Sequence, residues 1–461
     1  MRAISIGAGV VISAALTFTS LPAAAASDEA VLEEIVVTAR KKEEPLQETP
    51  VAVTALTSET IERINATDLT DLHLRAPNVL ISTTGSFNSS ASVFIRGIGN
   101  ADIDSTIDPP VAILMDGVYI PRPANNSLDL FDIEQIEVLR GPQGTLFGRN
   151  TTAGAINYRT RRPSGELGMR ANITVGEYGR RDVRVAAEAP IVEDKFNAKV
   201  AVFSQEYDGY FRNTFTDAAG NRSSRDAGGT DSLAIRPILH FTPSDTFELT
   251  IIGEYLRERS EPNVGVNVSR PTQLLQVLHG NPPAFGYGAD ERRFAFNVPG
   301  YIDTDIKGAT VEAIWDVGPG TLTAVANWRD TESLISSDID MTSAAMFEIL
   351  RDEPHEQKSA EVRYNFDINE NINFTGGLYY FEQDYFLRRD TFLDVANTGN
   401  TTHLNAITGQ EHENMAIFAH DHPAESSTSK PNRYNGWRGR LTGSVNPLLQ
   451  CVDIEFRRTS G

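Results

Sequence analysis

From Gly168 onward, long stretches of the chain alternate apolar and polar residues with a period of two. That period lays one set of side chains on each face of an extended strand and does not fit an amphipathic helix. Phe247, Leu249, Ile251, Gly253 and Tyr255 alternate with Glu248, Thr250, Ile252 and Glu254. Ala309, Val311, Ala313 and Trp315 do so with Thr310, Glu312, Ile314 and Asp316, and Leu322, Ala324, Ala326 and Trp328 with Thr321, Thr323, Val325, Asn327 and Arg329. A fourth set, Ala360, Val362, Tyr364 and Phe366, alternates with Glu361, Arg363, Asn365 and Asp367. One face suits lipid and the other water or a polar filling. Segments near 168–176, 182–189, 196–207, 231–241, 246–256, 308–316, 321–330, 357–367, 371–385 and 413–418 give about ten strands. Trp315, Trp328, Tyr364 with Phe366, and Tyr379 to Phe381 cluster toward strand ends, as interfacial girdles do. A soluble β-sandwich shows the same alternation, so the period alone leaves both architectures open.

The N-terminus argues for export. Arg2 precedes an apolar run from Ile4 to Leu21, and Ala24-Ala25-Ala26 forms a small-residue cleavage site before Ser27. Residues 1–26 therefore read as a signal peptide, and no other run of about 18 apolar residues reads as a spanning helix. The charge balance of 41 basic against 62 acidic residues, net −21, argues against nucleic acid as a partner. Cys451 is the single cysteine, so neither an internal disulfide nor a cysteine metal site can form.

Just after the cleavage site, Glu34-Ile35-Val36-Val37-Thr38-Ala39 concentrates β-branched residues beside charged, proline-bearing sequence. Such a tag can add as a strand to a partner's sheet edge, and an edge strand of the same chain reads identically. Mixed α/β sequence follows. Ser58 to Leu74 suggests short helices with Ser58 as an N-cap, and Val93–Gly97, Val111–Tyr119 and Ile133–Arg140 read as strands. Gly97, Asp116-Gly117, Gly141, Gly144 and Gly148 mark turns that need unusual backbone angles or close approach. No Lys-Ser or Lys-Thr follows the glycines of 141–148, which excludes a phosphate loop.

The ordered set Glu34 to Ala39, Phe94-Ile95-Arg96-Gly97, Asp116-Gly117-Val118-Tyr119 and Ile136 to Gly148, running on to Gly154-Ala155-Ile156-Asn157, resembles the TonB-dependent outer-membrane receptors. The resemblance implies a 22-stranded antiparallel membrane β-barrel, here incomplete, with an N-terminal α/β plug, in the outer membrane of a Gram-negative bacterium. It makes Ile35, Val36, Val37, Thr38 and Ala39 the box that pairs with the energy-coupling protein TonB. It also places Arg96 and Arg140 on the plug surface against carboxylates of the barrel wall, as a lock; both could equally bond nearby turn carbonyls. A bidentate arginine–carboxylate pair away from water suits a lock because it is strong and directional.

The expected organisation is a signal peptide at 1–26, a box segment at 27–44, a plug at 45–163, barrel strands at 164–418 and a doubtful tail at 419–461. The alternation lapses after Phe418, and Leu449-Gln450, Val452-Asp453 and Glu455-Phe456 could each be encoded by a cloning-site hexamer. The tail is therefore expected to be vector-derived after a frameshift, and the His420/His422 pair is not read as a metal site. Two long polar segments, Arg257–Thr304 and Leu387–Glu411, are expected as extracellular loops; Tyr287, Arg292, Arg293 and Phe294 in the first could bind an anionic aromatic ligand or simply be solvated. Plug apices at Thr83–Ser92 and Asn100–Pro110, with Asp102, Asp104 and Asp108, would floor the pocket. No catalytic constellation, cofactor motif or metal-ligand set is visible.

The expected function is import of a scarce nutrient, first a ferric siderophore and next a vitamin B12-like cofactor or a glycan, with TonB, outer-membrane lipid and the small-molecule ligand as partners. Competing readings are a surface-sensing transducer, which would carry an extra domain before the box, and a secreted adhesive β-protein.

Overall fold

The computed structural model describes residues 35–64, 66–84, 87–101, 107–122, 130–216, 220, 226–262, 265, 293–294, 296–342, 345–369, 372–394, 401–423, 435–442 and 453–460. Residues 1–35 and 36–461 form separate units, and the signal peptide lies outside the described residues. Among those residues no helix is long and apolar enough to cross a membrane.

Short elements open the second unit. Strand β1 (Val36–Val37) pairs antiparallel with β2 (Glu44–Pro45). Then come β3 (Val53–Thr57), helix α1 (Ser58–Arg63), β4 (Val79–Thr84), β5 (Phe87–Ile95), β6 (Ile98–Gly99), β7 (Val111–Met115), β8 (Val118–Ile120), β9 (Ile133–Arg140) and β10 (Gly154–Thr160). The N-cap of α1 is Thr57, whose hydroxyl accepts from the Thr60 N–H, and not Ser58. Thr57 closes an extended strand with its oxygen free to face the orphan amides, whereas Ser58 is already helical.

A five-stranded sheet ordered β3-β9-β10-β7-β8 carries this domain, with β10 and β7 parallel. The β7–β8 hairpin turns on Asp116-Gly117, at φ of 50° and 79°, the left-handed pair that a tight two-residue hairpin requires. Arg96-Gly97 repeats the device between β5 and β6 at 54° and 79°. Gly154 answers a different need, since a Cβ there would run into the Leu139 carbonyl of the neighbouring strand. Beneath the sheet, Ile61, Leu69, Val79, Ile95, Ile113, Ile136 and Tyr158 pack into one core.

The rest is wall. Strands β11 (Gly168–Val175), β12 (Arg181–Val192) and β13 (Phe196–Tyr207) begin it, followed by rim strands β14 (Phe211–Asn213) and β15 (Asp226–Ala227). The wall continues through β16 (Thr230–Ser244) and β17 (Phe247–Ser260), then, after rim strand β18 (Arg293–Phe294), through β19 (Tyr301–Val317), β20 (Gly320–Asp338), β21 (Phe347–Asp352), β22 (His355–Asn369) and β23 (Ile372–Leu393). Finally come β24 (Thr402–Pro423), β25 (Asn435–Thr442) and β26 (Asp453–Ser460). Thirteen strands form one antiparallel sheet from β11 to β26, the three rim strands pairing separately above it.

Each wall segment expected as a strand lies in one and the faces agree with the alternation, whereas in the plug Val111–Tyr119 breaks into two strands at Asp116-Gly117 and the strand through Val93 ends at Ile95. Thr323, Val325, Arg329 and Thr331 of β20 are buried inward, while Trp328, Val311, Val362 and Leu378 are exposed outward. Outward aromatics form two bands. Phe196 and Phe241, Trp315, and the stacked Tyr364 and Phe366 sit beside the short turns. Trp328 lies higher, its indole N–H donating to Glu356 at 3.0 Å. Trp315 faces Leu322 across the ladder, and six residues separate Leu322 from Trp328. That is about 20 Å at roughly 3.3 Å per residue, close to the apolar band of a membrane barrel.

The expected long loops are shorter than the sequence suggested. Strand pairing runs on to Ser260 and resumes at Tyr301, and β23 and β24 take up all but 394–401 of the second. Above the upper aromatic band neither face meets lipid, so Asp303, Asp305, Arg388 and Asp390 sit in ladders that carry no alternation. Backbone hydrogen bonding alone sustains a strand there. Tyr287, Arg292, Asp102, Asp104 and Cys451 lie outside the described residues. Within the doubtful tail, β24 runs through His420 and His422 to Pro423, and β25 and β26 extend the sheet.

Candidate functional site

Two ends of the plug carry the contacts of interest. At the turn end, the box segment is docked. Val37 and Ala39 have no exposed surface and pack with Ala112, Leu114, Leu139 and Ala155 of the plug and with Phe381 of β23. Thr38, between them, presents both its N–H and its hydroxyl to Glu137 of β9, at 2.6 and 3.0 Å. Asn157 donates to the same hydroxyl at 3.3 Å, and Gln135 to the Val36 carbonyl at 3.0 Å. Burial pushes the Glu137 carboxyl above the usual carboxylate range, and the Thr38 bonds partly offset this. Val36 and Ile35 remain exposed. An available partner strand was one expectation for this tag; here its edge is occupied by β2 of the same chain.

The docked segment is also tied to the wall. Lys41 forms an ion pair with Glu361 of β22, both largely excluded from solvent, and its ammonium lies 5.5 and 5.3 Å from the ring centres of Phe147 and Phe418. Arg363 reaches the same carboxylate at 2.9 Å. Further along, Arg162 pairs with Glu312 of β19 at 2.5 Å. Asp132, which precedes β9 at φ 63°, meets Lys199 of β13 at 2.6 Å and Arg170 of β11.

Arg96 and Arg140 are placed elsewhere. Arg140 donates to the Pro77 carbonyl at 3.4 Å, and the Arg96 guanidinium lies beside Gly141, where a Cβ would come within 3.1 Å of Nη1. Neither is in an ion pair with a wall carboxylate among the described residues. The observed plug-to-wall pairs use Lys41, Asp132 and Arg162 instead. Sequence reasoning passed over these, although one signal was available: Glu361 is a carboxylate on the inward face of a strand at membrane height, which calls for a partner. Gly97, Asp116, Gly117, Gly141 and Gly148 carry positive φ, and Gly144 lies in a turn; the Asp116 carboxylate also accepts from the Thr160 N–H at 3.0 Å.

At the opposite end, Asp108 pairs with Arg149 at 2.8 Å and with Arg122 at 3.6 Å. The Arg122 guanidinium stacks 4.0 Å from the ring centre of Tyr385 on the wall. Arg329, Thr331, His355 and Gln357 of β20 and β22 complete this upper plug–wall junction.

A wall with a lipid-suited outside and an α/β domain tied into its bore defines a plugged membrane β-barrel. Residues 45–155 match the TonB-dependent Receptor Plug Domain, so the chain carries a plug domain of the TonB-dependent receptor kind. It is 33% identical over 152 residues to the vitamin B12 transporter BtuB of Vibrio vulnificus, across 32% of this chain and 24% of that protein. Against BtuB of Vibrio cholerae it is 29% identical over 183 residues, 39% of this chain and 28% of that one. These matches thus span about a quarter of the transporters' length. Among solved structures, the ferric yersiniabactin uptake receptor FyuA of Yersinia pestis superposes with a TM-score of 0.55 at 16% identity, over 89% of this chain and 67% of that one. BauA, the ferric preacinetobactin receptor of Acinetobacter baumannii, gives 0.62 at 15%, over 92% and 63%. At such identities the likeness speaks to the fold alone.

Proposed function

We propose that this chain acts in TonB-dependent uptake across a Gram-negative outer membrane, taking in a scarce nutrient from above the plug. The observation that carries the reading is the docked box: Val37 and Ala39 are fully buried and tied down through Thr38 and Lys41, so strand pairing with TonB requires their release. Pairing at Ile35 to Ala39 through backbone bonds needs little sequence specificity and can bear force along the chain. Lys41–Glu361, Asp132–Lys199 and Arg162–Glu312 would then hold the plug in register until it is pulled.

A ferric siderophore is the leading cargo, and a vitamin B12-like cofactor is the second reading, favoured by the chain's sequence likeness to the Vibrio transporters. Deleting Ile35 to Ala39 and following uptake of radiolabelled ferric siderophore and of cyanocobalamin tests both. TonB-dependent transport predicts that the deletion abolishes uptake of one cargo; unchanged uptake of both contradicts it.

A further inference from the structure

The turn that joins β11 to β12 holds a tyrosine where the backbone resists one. Tyr178 and Gly179 follow each other at φ of 58° and 71°, and the Arg180 N–H closes the turn on the Glu177 carbonyl at 3.3 Å. Glycine or asparagine fits such a left-handed pair, whereas a bulky side chain at its first position is strained and persists only where its surroundings hold it. Those surroundings are aromatic. The Tyr178 ring centre lies 6.4 Å from that of Tyr207, edge to face, and 6.2 Å from that of Tyr210. Tyr207 and Tyr210 are themselves 6.2 Å apart, and Phe211 lies 4.3 Å from Tyr210. All of these separations are contacts between rings. Tyr178 is 43% and Tyr210 46% exposed. The two turns are pressed together, since the Asp208 N–H donates to the Tyr178 carbonyl at 2.9 Å and a Cβ on Gly179 would run into the Asp208 carboxylate. Elsewhere, Tyr119, Tyr364 and Tyr379 meet phenylalanine rings.

We propose that Tyr178 and Tyr210 form an oxidative cross-linking site, two phenols that a one-electron oxidant couples into dityrosine. Each phenol gives up one electron and its hydroxyl proton. The two radicals join through the ring carbons beside their oxygens, and the hydrogen on each of those carbons moves to oxygen, restoring both hydroxyls. With hydrogen peroxide and a haem peroxidase as oxidant, the pair loses two hydrogens and one peroxide becomes two waters. Coupling needs two solvent-accessible phenols held in contact, which the docked turns supply and a tyrosine facing phenylalanine does not. The new bond staples the β11–β12 turn to the segment entering β14, and through it to rim strands β15 and β18. The site depends neither on TonB nor on any cargo.

Full chain in detergent would be treated with that peroxidase and peroxide and then digested with trypsin. Residues 171–180, which hold Tyr178, and 200–212, which hold Tyr207 and Tyr210, are separate tryptic peptides. They should appear joined, two hydrogens lighter than their sum, with fragmentation placing the bond between Tyr178 and Tyr210. Tyr178→Phe and Tyr210→Phe, which keep the rings, should each remove the joined species and most of the dityrosine fluorescence, and Tyr380→Phe should change neither. A bond mapped to Tyr207, links spread over the other tyrosines or formed between two chains, or oxidation without linkage overturns the proposal.

Discussion

Glu137 of β9 accepts the backbone N–H of Thr38 at 2.6 Å, in the middle of the segment expected to engage TonB. The bond joins residues 99 positions apart and fastens the box to the plug's central sheet. Bonds to a charged acceptor contribute about 1.5–3 kcal/mol each, and several converge on this carboxylate. Glu137→Ala should therefore free the segment. With Ala39→Cys, at a position with no exposed surface in the docked segment, as reporter, maleimide labelling should quicken by about tenfold or more, the equivalent of ~1.4 kcal/mol. An unchanged rate would place the hold elsewhere.

Lys41 and Glu361 make a separable prediction. Removing Glu361 leaves the buried Lys41 ammonium uncompensated, at a cost of about 3–5 kcal/mol, whereas removing Lys41 leaves the carboxylate still paired with Arg363 and should cost less. Lys41→Met and Glu361→Gln should each raise labelling at Ala39→Cys, and the double variant should do so by less than the two effects combined. Strict additivity in that cycle would show that the residues do not act as a pair.

Asp132 anchors the other half of the plug. Lys199 has almost no exposed side chain and depends on this carboxylate, with the Arg161 carbonyl as its other acceptor. Asp132→Ala should expose the plug to trypsin while leaving the wall intact, whereas Asp132→Glu should restore most of the protection. Equal resistance of all three proteins would remove the anchor from the account.

The rim responds to pH through Asp338, at the end of β20 about ten residues above Trp328. Burial, then the neighbouring Asp340, push its carboxyl up to about 8, and Glu348 faces it across the ladder. A raised carboxyl favours the folded rim while protonated, so the contribution is complete at acid pH and lost as pH rises through about 8. Amide exchange at Met341, whose N–H bonds Asp338 at 2.8 Å, should accelerate beyond the intrinsic rate by up to about tenfold per unit as pH rises from the ordinary carboxylate range toward about 8, and the extra acceleration should level off above it. Asp338→Asn should flatten the dependence; a wild-type profile without the extra acceleration would contradict the shift.

The wall was legible in the sequence wherever lipid touches it. Leu322 to Trp328 and Ala360 to Phe366 had to alternate because one face meets acyl chains and the other does not, and their strands fell where the period placed them. The turns at Arg96-Gly97 and Asp116-Gly117 were equally local, set by which residues tolerate positive φ. Above the membrane that constraint ends, so the upward reach of β17, β19, β23 and β24 had no pattern to announce it. Tertiary structure decided which charges meet. Lys41 and Glu361 stand 320 positions apart, and Asp132 and Lys199 are joined only because the plug sits inside the wall. Of the two arginines that sequence resemblance put at that boundary, Arg140 bonds the Pro77 carbonyl within the plug and the Arg96 guanidinium lies beside Gly141. A residue's period reports what its own face touches, whereas its partner depends on how two layers distant in sequence come to rest against each other.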